Sequence, residues 1–143
     1  MNYRVAMYLI IGFAGLILYT SYSSEASLSK SNKNYGVHPG KAVYDEYCLT
    51  CHQADGRGVP GMNPPISKTD WVTGDKDRLI QVLLKGLKTP LTINGEEYHN
   101  PMPAHAFLTN QQIADVLSYI RSNFGNKASA IKAEEVEQVR SRK

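Results

Sequence analysis

The sequence predicts a small all-α domain set behind an N-terminal apolar segment. Two observations downstream of residue 38 carry the domain. Several stretches repeat apolar residues at helical spacing, and the loops between them are long and rich in Gly and Pro. A third observation is the apolar run at residues 5–19, with Arg4 before it and no charge within it. A length of 143 residues accommodates one domain and a tail. Sixteen Lys plus Arg against 13 Asp plus Glu leave a net charge of +3, too small and too evenly spread to argue for nucleic-acid binding. Two cysteines cannot build a disulfide scaffold, so their spacing must explain them.

The apolar run is long for a cleaved export signal and short for a spanning helix. Continued to Tyr22 it reaches spanning length, with Tyr3, Tyr19 and Tyr22 suited to the two interfaces. Residues 1–22 are expected to be a signal peptide or membrane anchor helix. The anchor is the favoured reading, and cleavage near Ser24-Glu25-Ala26 is the alternative. Either way the remainder is exported and Arg4 keeps the N-terminus in the cytoplasm. Residues 23–37 form a Ser/Asn/Lys-rich flexible linker, residues 38–126 the folded domain, and residues 127–143 a C-terminal tail, expected as a short helix.

Four helices can be placed in order. The first covers residues 39–48, with Pro39 in its first turn and Val43, Tyr44 and Tyr47 on one face. The second opens after Thr73-Gly74 with Asp75 and Asp77 in its first turn. It buries Leu79, Ile80, Leu83 and Leu84 and stops at Gly86. The third is opened by a capping box, Thr109 with Gln112, and a staple of Leu108 on Ile113. Ile113, Val116, Leu117 and Ile120 then keep the helical period until Gly125. A fourth is expected over residues 129–140 on Ile131, Val136 and Val139, its Glu134-Glu135-x-Glu137 run a solvated face. Asn94-Gly95 predicts a tight hairpin turn. Residues 53–72 and 86–108 are read as long loops, and loops of that length usually wrap something.

What they wrap is indicated by Cys48-Leu49-Thr50-Cys51-His52, the Cys-x-x-Cys-His pattern of covalent haem attachment. Two thiols must reach the two vinyl groups of one porphyrin, while the adjoining imidazole reaches the iron from the same side. A helix ending at Cys48 and a tight turn through Cys51 would serve both demands. A thioredoxin-like redox pair would need a strand before it, where residues 41–47 read as helix. A zinc site would need a second ligand pair that His38, His99 and His105 do not form.

Around this pattern stand Gly40-x-x-x-Tyr44, Gly56-x-Gly58-Val59-Pro60-Gly61-Met62-x-Pro64-Pro65-Ile66, Asn94-Gly95-x-x-Tyr98, Met102-Pro103 and Ile113-Ala114-x-Val116-Leu117-x-Tyr119-Ile120-Arg121. Together they make residues 36–126 resemble the small mono-haem class I cytochromes c of bacteria. The resemblance implies a cytochrome c-like fold wrapped around one covalently bound haem c. Its first and last main helices would cross where Gly40 and Tyr44 meet Tyr119. It also implies thioether bonds from Cys48 and Cys51, and iron ligation by His52 and Met102. Pro64 would accept a bond from the imidazole of His52. Trp71 and Tyr98 would belong to the haem environment, by a propionate hydrogen bond or by plain packing. A lone Met is usually core filler. Here the Met-Pro before the last family helix argues for a ligand, with His99 and His105 as rivals and Met62 on the wrong side.

The function so implied is one-electron transfer on the periplasmic side of the cytoplasmic membrane, without a small-molecule substrate. The partners are redox proteins: a dehydrogenase or reductase as donor and an oxidase as acceptor. Two alternatives remain: a dedicated haem subunit of a membrane dehydrogenase or terminal oxidase, and a peroxidase-like protein with a labile sixth ligand. A large apolar patch at the haem edge would favour a docked subunit. A ring of lysines, for which Lys68, Lys76, Lys85 and Lys88 are candidates, would suit a transient carrier.

Overall fold

A computed structural model describes residues 38–142 except Thr89. The expected anchor and linker, residues 1–22 and 23–37, lie outside them. The element order is α1 (Pro39–Tyr47), α2 (Leu49–His52), α3 (Asp70–Thr73), α4 (Lys76–Lys85), β1 (Leu91–Ile93), β2 (Glu96–Tyr98), α5 (Asn110–Ser122) and α6 (Ala133–Ser141).

Helix α1 starts where His38 Nδ1 accepts the Gly40 amide at 3.1 Å, and Pro39 needs no partner in the first turn. It crosses α5 at very short range. A Cβ on Gly40 would stand 2.0 Å from the Asp115 carbonyl oxygen and 2.7 Å from Tyr119 Cβ. Beside that crossing Tyr44, Tyr119 and Phe124 form a ring cluster with centroids 5.0–5.7 Å apart. Tyr44 also donates its hydroxyl to the Gln53 carbonyl at 2.7 Å, fastening the crossing to the end of α2. Val43 and Tyr44 are buried, whereas Tyr47, expected on the same face, is exposed. The helix ends one turn later, and Tyr47 is left beyond the α5 contact.

Helix α4 carries Asp75 as its N-cap, the side chain accepting the Arg78 amide at 2.6 Å. Leu79, Ile80, Val82 and Leu83 are buried, while Leu84, expected inside, is only partly so. Gly86 ends it with φ +72°. In α5 both arms of the capping box form: Thr109 Oγ1 accepts the Gln112 amide and Gln112 Oε1 accepts the Thr109 amide. This helix ends at Ser122, short of Gly125, because Asn123 Nδ2 donates to the Tyr119 carbonyl at 2.8 Å. That bond satisfies a last-turn carbonyl, and Phe124 then turns through φ +56°.

Helix α6 begins at Ala133 rather than residue 129. The Ile131 amide and carbonyl are both bonded to Ser118 Oγ, and the Ser129 carbonyl to Arg121 Nε, so this stretch stays extended. Its acidic run is not wholly solvated: Glu135 accepts the Lys132 amide and pairs with Lys76 at 2.9 Å. The hairpin β1–β2 turns on Asn94 (φ +52°) and Gly95 (φ +82°), both left-handed as a type I′ turn demands. Helix α3 falls inside a stretch read as loop; one turn capped by Thr69 is too short to leave a periodic pattern. Ile80, Ile113, Val116, Leu117 and Val136, from α4, α5 and α6, form the fully buried centre. No helix among the described residues is long and apolar enough to cross a membrane.

Candidate cofactor site

A cleft open to solvent runs between these helices and the two long loops. Its walls are largely aliphatic, with Leu79, Val82 and Leu83 from α4 and Leu117 and Ile120 from α5. All seven residues singled out in the sequence line it: Cys48, Cys51, His52, Pro64, Trp71, Tyr98 and Met102.

Cys48 is the joint between α1 and α2, its amide bonded to the Tyr44 carbonyl and its own carbonyl accepting the His52 amide. Cys51 lies within the one-turn helix α2 rather than in a turn, because the Cys48 bonds carry the chain on helically. One helical turn therefore delivers both thiols and the imidazole to the same cleft. Cys48 is half-buried and Cys51 exposed. Burial, with a smaller effect of the Cys51 thiol, pushes the Cys48 thiol up to about 11.

His52 Nδ1 stands 3.0 Å from the Pro64 carbonyl oxygen. The nitrogen that faces a carbonyl must carry the proton, so Nε2 keeps the lone pair. Burial holds the imidazole below the ordinary histidine pKa, opposed by the Pro64 carbonyl and aided weakly by His105. The ring is therefore neutral near pH 7, as a metal ligand must be. Gly58 makes this contact possible. With φ +67°, it sits where a Cβ would come within 2.2 Å of the Asn63 carbonyl oxygen and 2.7 Å of the Pro64 one.

Met102, which also lines the cleft, forms a reciprocal backbone bridge with Leu87, at 3.0 and 3.1 Å. Gly86 permits it, since a Cβ there would be 2.3 Å from the Met102 carbonyl oxygen. Of the rival histidines, His99 is exposed and beside Glu97, and it does not line the cleft. His105 does line it, with a buried Nδ1 that has no hydrogen-bond partner. Met62 is exposed and outside. Tyr98 donates its hydroxyl to Glu96 at 3.0 Å, and Trp71 carries the Arg78 guanidinium 4.7 Å from its ring centroid.

Sequence reasoning missed how the two loops close on each other. The His99 and Asn100 amides bond the Gly61 and Met62 carbonyls, and Asn100 Nδ2 donates to Asn63 Oδ1. Asn63 and Asn100 are 37 residues apart, and the only local hint was two asparagines beside prolines. The lysine ring is incomplete, because Lys76 is held by Glu135 and the Lys68 side chain lies against Gly125. Exposed aromatic surface borders the cleft: Phe107 is 66% exposed and meets the cleft-lining Tyr47 edge-on at 5.4 Å.

Two thiols on one turn, a neutral imidazole of defined tautomer and a deep aliphatic slot fit a covalently bound haem. The sequence model of the family described as Cytochrome c matches residues 37–124. A Thermus thermophilus protein named Cytochrome c-552 is 34% identical over 113 residues, covering 73% of this chain and 86% of the relative. The cytochrome c subunit of a quinone-type alcohol dehydrogenase from Gluconacetobacter polyoxogenes is 37% identical over 112 residues, 77% of this chain but 24% of that protein. The fructose dehydrogenase cytochrome subunit of Gluconobacter japonicus is 31% identical over 131 residues, 85% of this chain and 26% of the relative. With the match spanning the whole of the cleft-forming region as far as Phe124, this chain belongs to the cytochrome c family.

Proposed function

We propose that the chain carries single electrons through a haem whose iron would be held by His52 and Met102. Family membership makes one covalent haem c the cofactor, and electron transfer rather than catalysis on a substrate the activity. When bound, haem c supplies a one-electron Fe(III)/Fe(II) couple. Cys48 and Cys51 would hold it by thioether bonds, and Pro64 would orient His52. Trp71 and Tyr98 would pack on its flanks. His52 and Met102 together leave no coordination position for a substrate, and the soft thioether favours Fe(II) and a raised potential.

The observation that carries this reading is that His52, at the end of helix α2, and Met102, on a separately anchored loop, reach one cleft. Acid-acetone should leave the haem on the wild type, and Met102→Ala should open the iron to cyanide or imidazole and lower the potential. Quantitative haem release from the wild type would refute covalent attachment. An absent near-infrared Met-to-Fe(III) band with an unchanged M102A spectrum would move the ligand to His105 or His99.

A second reading, a haem subunit docked to a dehydrogenase, is supported by the exposed Tyr47–Phe107 pair beside the cleft. Two of the relatives carry such a name, though this chain matches about a quarter of each. For localisation we take the periplasmic side of the membrane, with residues 1–22 as tether, 23–37 as linker, 38–126 as haem domain and 127–143 as tail. The expectation of an anchor falls on residues outside those the structure describes.

A further inference from the structure

Helix α6 lies beyond residue 124, where the family match ends, so the family pattern assigns it nothing. Val136 and Val139 are buried, and it packs on α4 and α5. Its first turn is tied to α4 by Lys76–Glu135. Its last turn does something different. Arg140 Nη1 donates to the Ala106 carbonyl at 2.8 Å, Nη2 to the Leu108 carbonyl at 2.7 Å, and Nε to Asn110 Oδ1 at 2.9 Å.

All three acceptors lie on the stretch that leads from Met102 into α5. Upstream, that stretch is held by the Met102–Leu87 bridge and by the His105 amide on the Leu83 carbonyl at 2.7 Å. Between His105 and the capping box of α5, the Arg140 fork joins the Leu108 amide, bonded to the His105 carbonyl, in holding the chain. A planar guanidinium suits three acceptors spread over five residues, which a lysine ammonium cannot reach together.

We infer that α6 is a clasp on the axial-ligand loop, with Arg140 a positioning residue that keeps the Met102 thioether at the iron. This rests on Met102 being the ligand. Without the fork, the loop's downstream end is held less tightly, and local opening at Met102 becomes more frequent while the core stays folded.

The test uses the full-length haem-loaded protein as wild type, Arg140→Ala, Arg140→Lys and Glu135→Gln. The last loosens the other end of α6 without touching the loop. The readouts are the cyanide-binding rate of the ferric protein, the pH at which the near-infrared Met band is lost, and the urea midpoint. R140A should bind cyanide about tenfold faster, as expected from losing charge-assisted bonds on an otherwise folded loop, and lose the band at lower pH. R140K should fall between R140A and wild type, and E135Q should lower the urea midpoint with a wild-type cyanide rate. A wild-type rate in R140A or, should that variant not fold, in R140K overturns the clasp. So does a rate that tracks the urea midpoint equally in all variants. If the wild type lacks the band, both the clasp and the ligation it depends on are overturned.

Discussion

Gly40→Ala sets two effects of opposite sign against each other. Alanine in a helix is favoured over glycine by up to about 1 kcal/mol, so on propensity alone the substitution stabilises α1. Against this stands the crossing, where the new Cβ would lie 2.0 Å from the Asp115 carbonyl oxygen. Carbon contacts under 3.0 Å are essentially not seen, so α1 and α5 must separate by about 1 Å. The obstacle is backbone inside a helix and cannot rotate aside. Overpacking of this kind costs about 1–3 kcal/mol, and moving α1 also loosens the Tyr44–Tyr119–Phe124 cluster, whose pairs are worth about 0.5–1.5 kcal/mol each. The clash therefore wins, by about 2 kcal/mol net. With a urea slope of about 2 kcal/mol per molar, the midpoint should fall by about 1 M. Urea unfolding of the haem-loaded protein, followed by circular dichroism, measures it. A midpoint equal to or above that of the wild type refutes the reasoning, since it would show the helices parting at no cost.

Gly86→Ala places a side chain at φ +72°, ψ −175°, a region that costs about 1–3 kcal/mol, and drives it against the Met102 carbonyl. The variant should bind added imidazole where the wild type resists it, and an unchanged optical titration would contradict the role given to Gly86. In the chain produced without haem, the Cys48 thiol near 11 is almost wholly protonated at pH 8, so iodoacetamide should label the exposed Cys51 first. Because the raised pKa lies above the range tested, labelling of Cys48 should climb about tenfold per pH unit from 8 to 10. Equal rates at the two cysteines at pH 8 would show that burial does not govern them. Finally, haem protein should stay on membranes washed with salt and carbonate, with an intact mass beginning at residue 1 or 2. A soluble form beginning near Ser27 would replace the tether with a cleaved signal.

The short-range chemistry is legible in the order of residues alone. Cys48, Cys51 and His52 are close enough in sequence that one helical turn must present them together. The Thr109–Gln112 box and the Asn94-Gly95 turn are likewise complete within a few residues, so residue type and spacing determine them. Even there the boundaries shift. Asn123 ends α5 before Gly125 does, and Ser118 keeps residues near Ile131 out of α6, through bonds the local pattern does not contain.

What the sequence by itself determined, then, is the helical class, the Cys-x-x-Cys-His pentapeptide and seven of the residues that line one cleft. Pro64 for His52 follows from the sequence only through the family resemblance, and tertiary structure alone decided the other partners: Leu87 for Met102, Glu135 for Lys76, and Leu108 for Arg140. The last two pairs are 59 and 32 residues apart. Periodicity and capping act over one or two turns of chain. A charge or a carbonyl, by contrast, finds its partner only once burial of the apolar faces has folded distant segments against each other.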